Sequence, residues 1–121
     1  MAKMNFNDYG RCMATYNSWQ NAVLFDLCEQ IGDEERRRDR NMFFTSIHNT
    51  LNHILYIDLR ILDILKTGQA GPYDARTIVA DDFDDLKEQR IRIDREIGAF
   101  VDANDHAWQD GIRELQGLDG I

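Results

Sequence analysis

Between Phe43 and Leu65 the chain reads FFTSIHNTLNHILYIDLRILDIL, and Phe44, Ile47, Leu51, Ile54, Asp58, Ile61 and Leu65 recur at alternating steps of three and four. That spacing is the seam of a left-handed helical bundle. It fits no strand, where side chains change face every second residue. Wound at about 100° per residue, the polar residues Thr45, Asn49, Asn52, Tyr56, Arg60 and Asp63 collect in one narrow arc. Apolar residues fill more than half of the circumference, so a helix over about 41–66 is predicted to touch two neighbours at once.

Two further helices follow from the same periodicity. Over about 7–30, Tyr9, Cys12, Met13, Tyr16, Trp19, Val23, Leu24, Leu27 and Ile31 recur at steps of three and four. Gly32 then suits a helix stop, and Asp33-Glu34-Glu35 an acidic start for the next segment. Over about 83–103, Phe83, Leu86, Ile93, Ile97, Phe100 and Val101 form the inner stripe, with Asp81 or Asp82 as the cap. Arg90 falls on that stripe with Asp94 one turn later, where the two can pair. Gly68 ends the middle helix, and residues 67–82, with Gly71 and Pro72, make a connection long enough for a lid or crossover. The tail, 106–121, is weakly patterned. The expectation is a single all-α domain over 1–121, a helical bundle.

Composition narrows the function. The chain has 121 residues, 30% of them charged and 43% hydrophobic, which suits one folded domain rather than disorder. A net charge of −8 argues against nucleic-acid or anionic-membrane partners, which need clustered Lys and Arg. The one basic cluster, Arg36-Arg37-Arg38 with Arg40, is interleaved with Glu34, Glu35 and Asp39 and reads as a solvated face. Charges such as Asp58, Arg60 and Asp63 interrupt every apolar run, so no membrane span is expected. Cys12 and Cys28 lie sixteen positions apart on one helix, roughly 24 Å, too far to bridge. Free thiols point to a reducing cytoplasm, and each cysteine reads as a small buried hydrophobe.

No phosphate-binding glycine loop, Cys-x-x-Cys, His-Glu-x-x-His or Glu-x-x-His pair occurs. His48 and His53 sit about 140° apart on one helix and cannot share a metal. On spacing alone each is a hydrogen-bonded structural histidine, and His106 is expected at the end of the third helix. Asp58, on the apolar seam, needs a buried partner, for which Arg90 is the candidate. Trp19, Tyr16 and Tyr56 read as core or interface residues before pocket-lining ones.

The run SIHNTLNHILYIDLRIL resembles the second-helix signature of the DinB/YfiT-like family of bacterial four-helix bundles. YNSWQNAVLFDL in the first helix and DFDDLKEQRIRIDREIGAFV in the third extend the likeness over about residues 7–105. The resemblance implies a DinB/YfiT-type bundle with three long helices present of an expected four. It also implies a divalent metal, nickel or zinc, held by three histidines, with His53 at the second-helix position and Asn49, Asp58 and Arg90 as pocket candidates around it. Family members include thiol-dependent transferases and metal-dependent hydrolases acting on small-molecule or thiol substrates.

The family's other two histidines belong to a His-x-x-x-His pair on a fourth helix, near NHQTHHRGQ. Here the chain ends at Ile121 with His106 alone, so an incomplete metal site and a weakly held metal are expected. An apolar groove is expected where a fourth helix would pack, covered in a homo-oligomer, most simply a two-fold dimer burying the first and second long helices. Two functions follow: a DinB-like metal-dependent enzyme with His53 in its metal shell, or a metal-free helical oligomerisation or interaction module.

Overall fold

The computed structural model describes residues 6–103, and all regular structure among them is helical. The elements are α1 (Phe6–Ile31), α2 (Asp33–Arg37), α3 (Ile47–Thr67) and α4 (Phe83–Ala103). Three long helices appear as expected, and the acidic run after Gly32 forms a separate helix of five residues, α2. The weakly patterned tail expected over 106–121, His106 included, lies outside the described residues.

Local chemistry sets the boundaries. Gly32 at φ 85° turns the chain out of α1, in the left-handed region that a side chain disfavours. The middle helix starts at Ile47 and not near Asn41, because Asn41 and Thr45 both take positive φ and an isolated bridge joins Met42 to Thr45. Ser46 then caps α3, its Oγ accepting the Asn49 N–H at 3.1 Å. Gly68 closes the helix at φ 77°, its N–H donating to Ile64 O at 2.8 Å. Of the two candidate caps for α4, Asp82 serves: its Oδ2 accepts the Asp85 N–H at 3.0 Å.

Helix α1 runs antiparallel to α4. Arg11 pairs with Asp102 at one end, and at the other Lys87 pairs with Glu29 while Phe25 stacks on Phe83. The two backbones come close where Gly10 faces Val101, so that a Cβ at Gly10 would stand 3.2 Å from a valine methyl. Helices α3 and α4 are parallel: Asp58 reaches Arg90, and eight residues on Lys66 reaches Glu96. The connection between them must therefore return the length of α3.

That return is a strap laid on the polar arc of α3. Arg60 Nη1 donates to Gly71 O at 2.7 Å and Pro72 O at 3.1 Å, and Tyr56 Oη accepts the Asp74 N–H at 2.9 Å. Next, His53 Nδ1 meets Ala75 O at 3.1 Å, and Asn52 Oδ1 accepts the Ala80 N–H at 2.9 Å. The polar arc is thus partly covered, and Asn52 is 0% exposed. Extended backbone needs donors and acceptors wherever it is buried, and these side chains supply them.

The core comprises Phe25 and Cys28 of α1, Leu51, Leu55 and Leu62 of α3, Ala80, and Phe83, Leu86 and Ile93 of α4. The α4 stripe is the one expected. Helix α1 is not: Tyr9, Met13, Tyr16, Trp19, Val23, Leu24, Leu27 and Ile31 are all exposed, Trp19 at 61%. Its inner face is Ala14, Asn17, Asn21, Phe25 and Cys28, and Cys12, expected inside, is exposed. Helix α3 touches α2, α4 and the strap, but its other apolar flank, with Ile54, Ile61, Ile64 and Leu65, is open.

The reason lies in one polar node. Arg90, 2% exposed, gives Nε to Asp94 Oδ1 at 3.0 Å, and its Nη2 bonds Asp94 Oδ1 at 2.6 Å and Asp58 Oδ2 at 2.7 Å. Asn21 Nδ2 donates to both oxygens of Asp94, at 3.1 and 3.2 Å, and Asn17 Nδ2 adds a third contact at 3.4 Å. A buried carboxylate requires such donors, and they can reach it only if the asparagine face of α1 turns inward. The basic cluster is also partly inside: Arg36 is buried, its guanidinium 3.8 Å from the Phe83 ring centre and its Nη1 donating to Cys28 O at 2.8 Å. Arg37, Arg38 and Arg40 remain exposed and pair with neighbouring acids.

Replacing Arg90 with methionine strands Asp94 and Asp58 and is expected to cost about 3–5 kcal/mol in urea unfolding. Pairing that change with Asp94→Leu should recover part of the loss, since only Asp58, the more exposed of the two carboxylates, then stays unmatched.

Candidate functional site

Three places in the fold bring chemistry-bearing groups together, and the four sequence-predicted site residues divide between two of them. His53 and Asn49 lie one turn apart on the strap side of α3. Asp58 and Arg90 belong to the buried node, about 140° around the helix from His53. No single pocket holds all four.

His53 is half-buried, its ring stacked on Phe44 with centroids 4.0 Å apart. The Nδ1 contact with Ala75 O fixes the tautomer, because a carbonyl can only accept: Nδ1 carries the proton. Nε2 is then an acceptor, with no hydrogen-bond partner among the described residues. A metal-binding imidazole shows this arrangement, and so does an ordinary structural histidine. Asn49 contributes its backbone N–H to the Ser46 cap and lines a small cavity with Phe44 and residues 75–78. Among the described residues no three His, Cys, Asp or Glu side chains converge on one point. The described residues thus bring fewer than three such donors together at His53, too few for the three-ligand set of a typical zinc site.

The second place is the end of α3 that meets α2. His48 is 3% exposed, with Nε2 3.3 Å from Asp81 Oδ1 but poorly aligned, so that neither ring nitrogen makes a good hydrogen bond among the described residues. Asp81 is held more firmly by Arg37, whose Nη1 lies 2.9 Å from Asp81 Oδ1 and whose Nη2 donates to Asp81 O. Burial pushes the His48 pKa below its ordinary value, the positive charge of Arg37 acts the same way, and Asp81 opposes both. His48 is buried as a structural histidine would be, but without the good hydrogen bond that the sequence reading expected.

The third place is a cleft of about 410 Å³ between the long helices. It is lined by Tyr9, Met13 and Ala14 of α1, Asp58, Ile61, Leu62 and Leu65 of α3, and Ile97, Phe100 and Val101 of α4. Asp58 is turned to Arg90, so the carboxylate is already matched and the exposed lining is almost wholly apolar. Asp94 closes the node from the other side, its carboxyl pushed up by burial and held back by Arg90. The cleft continues onto the outward stripes of α1 and α3. Periodicity marked most of these apolar residues, Ala14 and Leu62 excepted, but could not say which would be left outside. Asn21 drew no notice in the sequence, and Asn52 only as one member of the polar arc.

The cleft between three helices, the long crossover and the signature on α3 form the setting for comparison with known proteins. A family model described as "DinB family" matches residues 1–114. The chain belongs to the DinB family. No curated protein and no solved structure matches it. Among the described residues of this DinB-family chain, no helix is long and apolar enough to cross a membrane.

The histidine at the α2 end makes stability depend on pH. A base whose folded pKa lies below its unfolded value of 6.5 contributes stability fully above that value and loses it as pH falls through the folded one. Urea unfolding between pH 8 and pH 5 should show stability falling on the acid side, by at most about 1.4 kcal/mol per pH unit from this residue. His48→Gln should remove that part of the slope. Asp94, raised by burial, contributes with the opposite sign and is common to both proteins, so their difference isolates His48.

Proposed function

We propose that this DinB-family chain is a helical interaction module whose working surface is the apolar cleft with the stripes of α1 and α3 beside it. One observation carries the reading: the most apolar face of α1 points away from the core, while a polar face is turned in and satisfied by Asp94. Scattered exposed hydrophobes are ordinary, but eight on one helix beside an apolar cleft make a contiguous patch of the kind that marks an interaction site. Catalytic chemistry plays no part in this reading, since Asp58, the carboxylate that lines the cleft, is paired with Arg90.

A second reading has its own observation in favour. His53, with Nδ1 bonded to Ala75 O and Nε2 an acceptor, has the posture of a ligand to nickel or zinc, as in a DinB-like thiol-dependent transferase or hydrolase. The donor set among the described residues does not fit a divalent ion, so no reaction step is derived through one.

Elemental analysis of the purified full chain and of His53→Ala separates the two. The interaction reading expects well under one nickel or zinc per chain and no change on substitution. About one ion per chain, lost with His53, would replace it with the metal-dependent reading.

A further inference from the structure

We propose that the occupant of this surface is a second copy of the chain, docked by a two-fold axis with α1 against α1. The inference rests on the interaction reading above and names its partner.

The outward face of α1 is itself a seam. Tyr9, Met13, Tyr16, Gln20, Val23 and Leu27 follow steps of four and three, the heptad spacing by which one helix meshes with another of the same repeat. The described core of this chain leaves that seam uncovered. Its only polar member among these six apart from the tyrosine hydroxyls is Gln20, exposed and without a hydrogen-bond partner among the described residues. The stripe from Tyr9 to Ile31 is centred on Gln20. An antiparallel two-fold pairing therefore sets each Gln20 amide against its own copy, and an amide both donates and accepts. A charged partner gains nothing on this face, since no Asp, Glu, Lys or Arg occupies the seam.

Size points the same way. With each large side chain about half exposed, the α1 stripe presents on the order of 800 Å² of apolar surface, near what each partner contributes to a stable interface. That exceeds the roughly 300–600 Å² of the largest patch on a typical monomer. A two-fold contact uses the same patch twice and closes on itself, so the seam is buried without growth into a fibre. The net charge of −8 on each chain opposes association, and added salt, which screens it, should tighten the pair.

The test is sedimentation of the full chain under reducing conditions, which keeps Cys12 from cross-linking copies, with Trp19 as a reporter in a Trp108→Phe background. The expected result is a dimer at micromolar concentration, with Trp19 protected from acrylamide quenching. Leu27→Glu should weaken it at least tenfold, with helix content by circular dichroism unchanged, because Leu27 lies outside the core. Gln69→Glu, the same charge change at an exposed position just past the end of α3, should leave it intact. A dimer indifferent to Leu27→Glu would overturn α1 as the seam. A monomer at 100 µM with Trp19 open to quencher would overturn the second copy as partner but leave the interaction reading standing. A monomer with Trp19 shielded would end both, since the chain would then cover the face itself.

Discussion

A single guanidinium ties the three long helices together. Arg90 of α4 bonds Asp58 of α3 and Asp94 of its own helix, and Asp94 in turn gathers Asn21 and Asn17 of α1. Two carboxylates and one fixed cation in a small core are tolerable only while each has its donors. That demand is directional, whereas apolar burial is not. Hence the node sets the rotation of α1 about its axis, and the hydrophobic stripe takes the face that remains. An apolar surface left outside is the consequence from which the functional reading follows.

The strap between α3 and α4 obeys a similar rule. Parallel neighbours cannot be joined by a tight turn, so the chain has to travel back along α3, and its backbone needs partners on the way. Arg60, Tyr56, His53 and Asn52 provide them in descending order from Gly71 to Ala80. His53 is thus part of a structural ladder whatever else it does. Its fixed tautomer is a by-product of that ladder. A metal would have to find its remaining donors beyond the residues described.

Much of this was legible beforehand. The three long helices, the stop at Gly68, the inner stripe of α4, the pairing of Arg90 with Asp58 and Asp94 and the signature of the DinB family can all be read from spacing and motif. Each is local, or depends on one periodic face. Asn41 to Ser46 misled because Phe43 and Phe44 continue the apolar rhythm, while the two positive-φ residues that break the helix are Asn and Thr and give little warning. Arg36 misled because a charge run is read by composition, and only the Phe83 ring beneath it and the Cys28 carbonyl beside it make burial worthwhile.

Sequence by itself determined that this protein is an all-helical bundle of the DinB family, since repeat length and motif are properties of neighbouring residues along one chain. Only the tertiary structure decided which face of each helix is inside. Periodicity fixes the angle between side chains on a helix but says nothing of the helix's rotation in the bundle. That rotation is set between elements, by Asp94 drawing Asn21 inward and by the strap covering Asn52. The same freedom separates His53 from Asp58 and Arg90, and turns the α1 stripe from core into surface.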